Sequence, residues 1–297
     1  MSNTPLRIGI IGGTGLDEAL GLEKGASRVV ETPFGAPSSP ILMTQWHGVE
    51  IAILQRHGPG HVIPPSMVPF RANIFALKTL GITHIIASGA TGSLREQIQP
   101  GDLLIPDQVI DKTYRRVGTF YDKAAVHVEF SHPFCPVMRR WLLEAAKAIP
   151  GGKDVKVHPT GTYVCMEGPA FSTVAESNMH RAWGGDVIGM TACPEAKLAR
   201  EAEIAYALVA LPTDYDCWKP HDTRLPQHEL LKEIISNLKR ATAASVALLR
   251  QALRDVTILR ENTSPAHGAL KLAIWSDKTK IDLNEVERLR PLWGKYF

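Results

Sequence analysis

The sequence predicts one α/β domain in which helices cover both faces of a central mixed sheet. Short runs of branched apolar residues alternate with segments whose apolar residues recur at helical spacing. Strands that alternate with helices in this way build sheets with both faces buried. An apolar fraction of 44% and a charged fraction of 21% are ordinary for a globular chain, and 297 residues suffice for one large domain with an appendage.

The predicted strands are compact apolar runs that end in glycine or polar residues, and they cover residues 6–11, 41–43, 51–54, 82–87, 155–165, 187–190 and 204–211. Helical spacing predicts helices over residues 66–80, 136–149 and 226–253. Thr173 and Glu176 form a capping-box pattern that opens a further helix, and residues 282–289 resemble a short Asp-capped helix.

The composition of the chain changes after Asp255, where an Asn-Thr-Ser-Pro stretch precedes a short helical segment. We therefore expect residues 1–255 to form the domain that carries the functional site. Residues 256–297 are expected to be a C-terminal extension that packs on this domain or on a neighbouring subunit.

Charge and cysteine usage exclude several classes of protein. A net charge of +3, with no long basic run, disfavours nucleic acid as a partner. No apolar run is long enough to span a bilayer, and the first residues lack a signal-peptide core. The four cysteines are far apart and form no C-x-x-C pair, which is typical of a reducing compartment. The expected location is the cytoplasm, with no membrane contact.

Two glycine-containing segments after predicted strands are candidate anion sites. Thr14 lies in a Gly-Gly-Thr-Gly loop whose backbone N–H groups can close on a phosphate, although the spacing fits neither the dinucleotide fingerprint nor the Walker pattern. Arg56 and His57 offer a bidentate fork and a second donor. His57 and His61 are four residues apart, but the Gly-Pro-Gly between them forbids the helix that a metal pair would need, so no metal site is predicted. A plain turn and a surface loop remain the alternatives.

Three further segments place small or polar residues where strands are expected to end. Gly89 and Ala90 lie in the run SGATGS (88–93), which permits close backbone approach, and a plain turn is the alternative. Asp214 and Asp216 are two apart at a strand end and can point into one cleft, the alternative being a solvated acidic loop. Residues 190 and 191 could contact a sugar and an anion, respectively, and residue 171 could stack on a base. Core packing is the alternative for residues 190 and 171, whose side chains are apolar.

Taken together, these segments resemble the methylthioadenosine phosphorylases of the trimeric purine nucleoside phosphorylase family. The resemblance covers roughly residues 6–253 and keeps the order of six motifs, at residues 8–15, 56–58, 92–96 with 99–102, 167–169, 189–191 and 213–216. Each motif alone is weak evidence, but six in order are strong.

The resemblance implies a phosphorylase/hydrolase-like fold and a role for each matching residue. A phosphate site would be formed by Thr14, Arg56, His57, Gly89, Ala90 and Thr191. Met190 would lie against the ribose, Phe171 against the purine, and Asp214 and Asp216 would face the base. His127 would reach the 5′ end of the substrate in an adjoining subunit, which implies a homotrimer or a dimer of trimers.

The implied activity is the phosphorolysis of 5′-methylthioadenosine, and of adenosine, with inorganic phosphate as co-substrate and without a cofactor. Asp214 would hydrogen-bond or protonate N7, and Asp216 would accept from the 6-amino group, since a carboxylate suits an amine and repels a 6-oxo group. Three residues depart from the family pattern: Gly89 replaces Thr or Ser, Ala170 replaces Arg, and Gln227 replaces an apolar residue near the methylthio pocket. A 6-oxopurine phosphorylase, a nucleosidase and a non-catalytic purine-nucleoside-binding module remain the alternatives.

Overall fold

The computed structural model describes residues 5–12, 25–149, 156–220 and 227–297, except the side chains of residues 227, 228 and 230. Within these ranges eleven strands form a single sheet. In chain order they are β1 (Arg7–Gly12), β2 (Ala26–Arg28), β3 (Ile41–Trp46), β4 (Val49–Gln55), β5 (His84–Ser93), β6 (Leu103–Leu104), β7 (Gln108–Asp111), β8 (Val157–His158), β9 (Thr162–Cys165), β10 (Val187–Gly189) and β11 (Ala205–Tyr215).

The central strand of the sheet is β5, which pairs with three others. β1 runs parallel to its first half, as far as Ala87, and β10 joins the same edge in the antiparallel sense at Gly92. β11 runs parallel along the opposite edge. Outward from β1 the order continues as β4, β3 and β2, and outward from β10 as β9 and β7. The sheet is therefore mixed, as predicted.

Helices cover both faces of this sheet. The helices of the described residues are α1 (Phe70–Thr79), α2 (Pro136–Lys147), α3 (Val174–Ala182), α4 (Glu195–Glu201), α5 (Gln227–Arg254), α6 (Thr257–Glu261), α7 (Leu283–Arg288) and α8 (Arg290–Trp293). One apolar cluster packs α1 and α4 against the first face, and a second packs α2 and α5 against the other. Successive residues of β11 alternate between the clusters, with Tyr206 and Leu208 in the first and Ala207 and Val209 in the second. In the described part of the chain, every helix is too short or too polar to cross a lipid bilayer.

Several predicted elements differ from the observed ones at their ends. The run at 82–87 continues as strand through residue 93, and the run at 204–211 continues to residue 215, so the segments expected to be loops after these strands are strand residues. The two strands pair with each other over this whole length, and that pairing outweighs the low strand propensity of Gly and Ser. The helix expected from residue 66 begins at Phe70, after a 3₁₀ turn at Pro65–Met67. The strand expected over 155–165 divides into β8 and β9 within its described part.

The C-terminal segment, residues 256–297, shares both apolar clusters with the rest of the chain. Val256 and Leu259 enter the second cluster, whereas Leu270 and Trp293 enter the first. The Tyr296 hydroxyl donates to the Glu203 carboxylate at 2.6 Å. The segment thus packs against the sheet and its helices, and a domain boundary at residue 255 stays a prediction.

Candidate active site

The candidate site lies at an interruption in the edge of β5. β1 leaves this edge after Ala87 and β10 joins it at Gly92, so the intervening residues face no neighbouring strand on that side within the described ranges. In a strand that is otherwise mostly buried, Gly89 is half-buried and Ala90 is exposed. Backbone groups without a ladder partner need other partners. The interruption therefore leaves the backbone groups of residues 88–91 open on that side to partners other than a strand.

Arg56 reaches into this interruption from the residue after β4. Its Nη1 donates to the Ser88 carbonyl at 2.9 Å, and its Nε and Nη2 donate to the two carboxylate oxygens of Glu195 at 2.8 and 3.0 Å. Both side chains are fully buried. Burial alone would lower the pKa of Arg56, but the Glu195 carboxylate outweighs burial and holds that pKa above its ordinary value. Arg56 is therefore a permanent, rigidly held cation beside β5.

Gly89 and Thr191 adjoin this arginine. A Cβ built on Gly89 would lie 3.3 Å from Thr191 Oγ1 and 3.8 Å from Arg56 Nη1. The Thr91 hydroxyl, also buried, has no hydrogen-bond partner among the described residues. Arg56 and Thr191, both predicted phosphate residues, thus each approach the place that a side chain at position 89 would occupy, and the Gly89 departure leaves space where such a side chain would crowd Thr191.

His57 lies beside Arg56 but offers an acceptor in place of the donor expected from the sequence. Its Nδ1 lies 2.8 Å from the Ile63 carbonyl, and its ring stacks on His61 with centroids 4.3 Å apart. Burial, reinforced by the adjacent Arg56 charge, lowers the pKa of His57 to about 4. A neutral ring that donates from Nδ1 has a lone pair at Nε2. At neutral pH His57 is therefore an acceptor at Nε2 and not the second donor expected from the sequence.

Asp214 and Asp216 lie further along the same strand pair. Asp214 is paired in register with Gly92, and the Asp216 Cβ lies 3.3 Å from a Cβ built on Gly92. Gly92 lies three positions after Gly89 on β5, about 10 Å along the strand. The Thr213 hydroxyl donates to Asp214 at 2.9 Å, and Asp216 is buried with its Oδ2 unpartnered among the described residues. The two carboxylates thus lie beside a point of β5 about 10 Å beyond Gly89, a spacing along the strand comparable with the length of a nucleoside.

The side expected to bind the nucleoside is organised by a second buried ion pair, Arg116 with Glu167. Arg116 donates to Glu167 Oε1 at 3.0 Å and to the carbonyls of Met190 and Cys193 at 2.6 and 2.7 Å. Met190 also packs on Gly168, whose φ of 69° and lack of a side chain allow the contact. The predicted ribose contact Met190 and the loop that carries Phe171 are therefore held together.

Phe171 itself is 85% exposed, so the alternative that it fills the core is wrong. His127 is also exposed. Its ring packs on that of Trp275 in the C-terminal segment, with centroids 4.7 Å apart, and its backbone N–H donates to the Ala273 carbonyl. Its predicted role in an adjoining subunit stays a prediction.

Two sequence-based candidates lie outside the described residues: Thr14, and the side chain of Gln227. The last described residue before Thr14 is Gly12, whose carbonyl accepts from the Arg56 N–H at 3.1 Å. Sequence reasoning missed Glu195, Tyr206 and Arg116. A glutamate at a helix start and an arginine beside another arginine are common on protein surfaces, so no local signal marked them as buried.

Asp111, Cys165 and Cys193 form a group close enough to share a metal ion in the described part of the chain. The Asp111 carboxylate is already occupied, by Lys197 at 2.6 Å and by the Thr113 N–H and hydroxyl. A hydrogen bond with Cys165, and then burial, raises the pKa of the Cys193 thiol. These contacts favour a neutral thiol and an engaged carboxylate, which is a poor donor set for a metal.

The site thus places anion donors at a break in a mixed sheet and two carboxylates further along the same strand pair. The sequence profile of the phosphorylase superfamily matches residues 7–254. The chain belongs to the phosphorylase superfamily.

The proteins to which this chain is similar carry more specific names than the superfamily. The S-methyl-5′-thioadenosine phosphorylase of Geobacter sulfurreducens is 47% identical over 97% of this chain and 98% of its own length. A methylthioadenosine phosphorylase from an antarctic soil metagenomic library has a TM-score of 0.88 and 42% identity, covering 98% of this chain and 99% of that one. A double mutant of adenosine/methylthioadenosine phosphorylase from Schistosoma mansoni, in complex with adenine, has a TM-score of 0.80 and 36% identity, covering 91% and 99%. The predicted resemblance, fold and enzyme class, a pentosyl-transferring nucleoside phosphorylase, are confirmed.

Proposed function

We propose that this chain cleaves 5′-methylthioadenosine with inorganic phosphate to release adenine and 5-methylthioribose 1-phosphate, in purine and methionine salvage, and that it also cleaves adenosine, to adenine and ribose 1-phosphate. The observation that carries the proposal is the arrangement along β5. Anion donors at Arg56 and Thr191 adjoin Gly89, and two carboxylates adjoin Gly92. The relatives named for this reaction support the choice of substrate.

Phosphate binds beside Gly89, where Arg56, Thr191 and Thr14 donate to its oxygens. A phosphate oxygen attacks C1′ as the bond to N9 breaks, and the electron pair of that bond passes to the purine. Holding the two reactants together supplies much of the rate, because a bimolecular encounter becomes a local one. The bound anion also stabilises the cationic sugar.

The purine leaves towards the acidic end of β11. Asp214 hydrogen-bonds or protonates N7, which neutralises the charge that develops on the base. Asp216 accepts from the 6-amino group, and this contact selects adenine over hypoxanthine because two acceptors repel each other. Met190 covers the ribose, and the exposed Phe171 closes on the purine face.

We further propose a homotrimer, or a dimer of trimers, in which His127 serves the neighbouring site. The exposed surface where His127 and Trp275 pack together supports such an interface. We place the enzyme in the cytoplasm, since its cysteines are unpaired thiols.

The test is a base-release assay with methylthioadenosine, adenosine and inosine, each with and without phosphate. We expect adenine release that requires phosphate, the highest kcat/KM for methylthioadenosine, and poor turnover of inosine. Equal release without phosphate would identify a nucleosidase, and faster turnover of inosine a 6-oxopurine phosphorylase. Purine binding without any turnover would identify a non-catalytic binding module.

A further inference from the structure

Arg56 is held along one of its two donor edges. The edge formed by Nε and Nη2 faces the Glu195 carboxylate in a bidentate pair, at 2.8 and 3.0 Å. Nη1 keeps one N–H on the Ser88 carbonyl at 2.9 Å. Because guanidinium carries five N–H groups, these bonds leave one on each Nη atom. The remaining end lies by Gly89 and Thr191, where Nη1 is 3.8 Å from a Cβ built on Gly89.

Glu195 is itself held by a third side chain from β11. The Tyr206 hydroxyl donates to Glu195 Oε1 at 2.8 Å, the same oxygen that accepts from Arg56 Nη2. Glu195 is the first residue of α4, four positions after Thr191. All three side chains of the relay Tyr206–Glu195–Arg56 are buried, at 2%, 0% and 1% exposure. The relay therefore has few alternative rotamers and little water to replace its bonds.

We infer that Glu195 is a positioning residue for phosphate binding: supported by Tyr206, it turns the free end of Arg56 towards the anion. This inference rests on the proposed function, since it deepens the role of the same site. Glu195 does not touch the phosphate. It acts through the direction in which Arg56 donates.

Orientation matters more than charge at this site because the pair is formally neutral. The Glu195 carboxylate balances Arg56, and the adjacent His57 is uncharged at neutral pH. A dianion is then held by directed donors and not by a surplus of positive charge. Replacing Glu195 with Gln would raise the local positive charge, so a simple charge model predicts tighter phosphate binding, whereas the positioning model predicts weaker binding.

The experiment compares full-length wild type with Glu195→Gln, Tyr206→Phe and Glu167→Gln. Glu167 belongs to the other buried Arg–Glu pair and is the matched control. Calorimetry with inorganic phosphate alone measures Kd, and base release with methylthioadenosine measures both KM values. For Glu195→Gln we expect phosphate Kd and KM to rise about tenfold, or ~1.4 kcal/mol, with nucleoside KM changed less than about threefold. Tyr206→Phe should raise the phosphate Kd and KM about threefold. Glu167→Gln should raise the nucleoside KM more than the phosphate Kd and KM.

Tighter phosphate binding, or an equal rise of both KM values in Glu195→Gln, would overturn the positioning role. If that variant does not fold, Tyr206→Phe decides, because it keeps the ring and removes one hydroxyl; an unchanged phosphate Kd there overturns the inference. Calorimetry distinguishes failure of the positioning role of Glu195 from failure of the proposed function. A wild type that binds phosphate without turnover refutes the proposed function but leaves the Kd comparison valid, whereas one that binds no phosphate refutes both.

Discussion

The two buried Arg–Glu pairs show how the same chemistry serves different ends in one molecule. Arg56 gives its side edge to Glu195 and keeps donors at its end, beside Gly89 and Thr191. Arg116 donates to the Glu167 carboxylate and to the backbone carbonyls of residues 167, 190 and 193. Arg116 thus uses four of its five N–H groups, three of them on backbone carbonyls, whereas Arg56 uses three and keeps one on each Nη atom. Because both arginine side chains are buried, burial does not distinguish them. The number and position of their remaining N–H groups do.

Both pairs act on one short segment, residues 190–195. Arg116 holds the carbonyls of Met190 and Cys193, and Arg56 holds Glu195 just beyond them. Thr191 lies between these two anchors. The segment that we propose contacts both sugar and phosphate is therefore anchored on both sides of Thr191.

The largest effect on stability is expected for Arg116→Met, which tests the structural role of this arginine against the ligand-directed role of Arg56. Removing one partner of a buried pair leaves the Glu167 carboxylate uncompensated, which costs about 3–5 kcal/mol of unfolding free energy. Denaturant unfolding and a melting temperature lower by on the order of 10 °C would show this. Lys147→Met is the control, because it removes an equal charge from an exposed pair with Glu144 and should change stability little. Loss of phosphate affinity with unchanged stability would contradict the backbone role of Arg116.

The next effect concerns a carboxylate that belongs to neither pair. Asp214→Asn is expected to lower kcat for methylthioadenosine about 10²-fold, because the group that neutralises N7 loses its acidity. Since an amide can donate or accept, the gap between adenosine and inosine should narrow. Steady-state kinetics with the three nucleosides at saturating phosphate measure both changes. An unchanged kcat for methylthioadenosine would remove Asp214 from the mechanism.

The acid limit of stability is expected to come from buried histidines and not from the ion pairs. Burial, with a smaller effect of His267, lowers the pKa of His84 to about 3. The unfolded chain therefore takes up a proton near pH 6.5 that the folded chain refuses, and the unfolding free energy falls below that pH by up to about 1.4 kcal/mol per unit. Burial raises the pKa of Glu167, but hydrogen bonds from the backbone of residues 114 and 115, and then from Arg116, outweigh it and hold that pKa below its ordinary value. The Glu167 contribution is consequently complete at pH 5 and is lost only at lower pH.

Urea unfolding at pH 7, 6 and 5 measures this slope. The variant His84→Gln should show a shallower decline than wild type, whatever its stability at pH 7, because one proton uptake is removed. A decline of equal steepness in both proteins would assign the acid sensitivity to other groups, His57 first among them.

The sequence predicted the architecture better than it predicted the partners of the site residues. Periodicity and motif order located the strands that carry Arg56, Gly89, Thr191 and Asp214, since these signals are local. The continuation of β5 and β11 through their Gly- and Ser-rich ends depends on pairing between strands more than one hundred residues apart in sequence. Glu195 and Arg116 were missed for the same reason: a buried ion pair is recognisable only when both partners are seen together.

The smallest expected effect tests the departure at Gly89. Gly89→Ala adds a Cβ that would lie 3.3 Å from Thr191 Oγ1, so Thr191 must move slightly and phosphate affinity should fall. Gly89→Ser adds the same carbon with a hydroxyl that can donate to the anion, a bond worth about 0.5–1.5 kcal/mol. We therefore expect the Ser variant to bind phosphate about threefold more tightly than the Ala variant, with nucleoside KM equal in the two. Equal phosphate affinities would mean that position 89 does not reach the anion, and the free end of Arg56 would then have to be aimed elsewhere in the cleft.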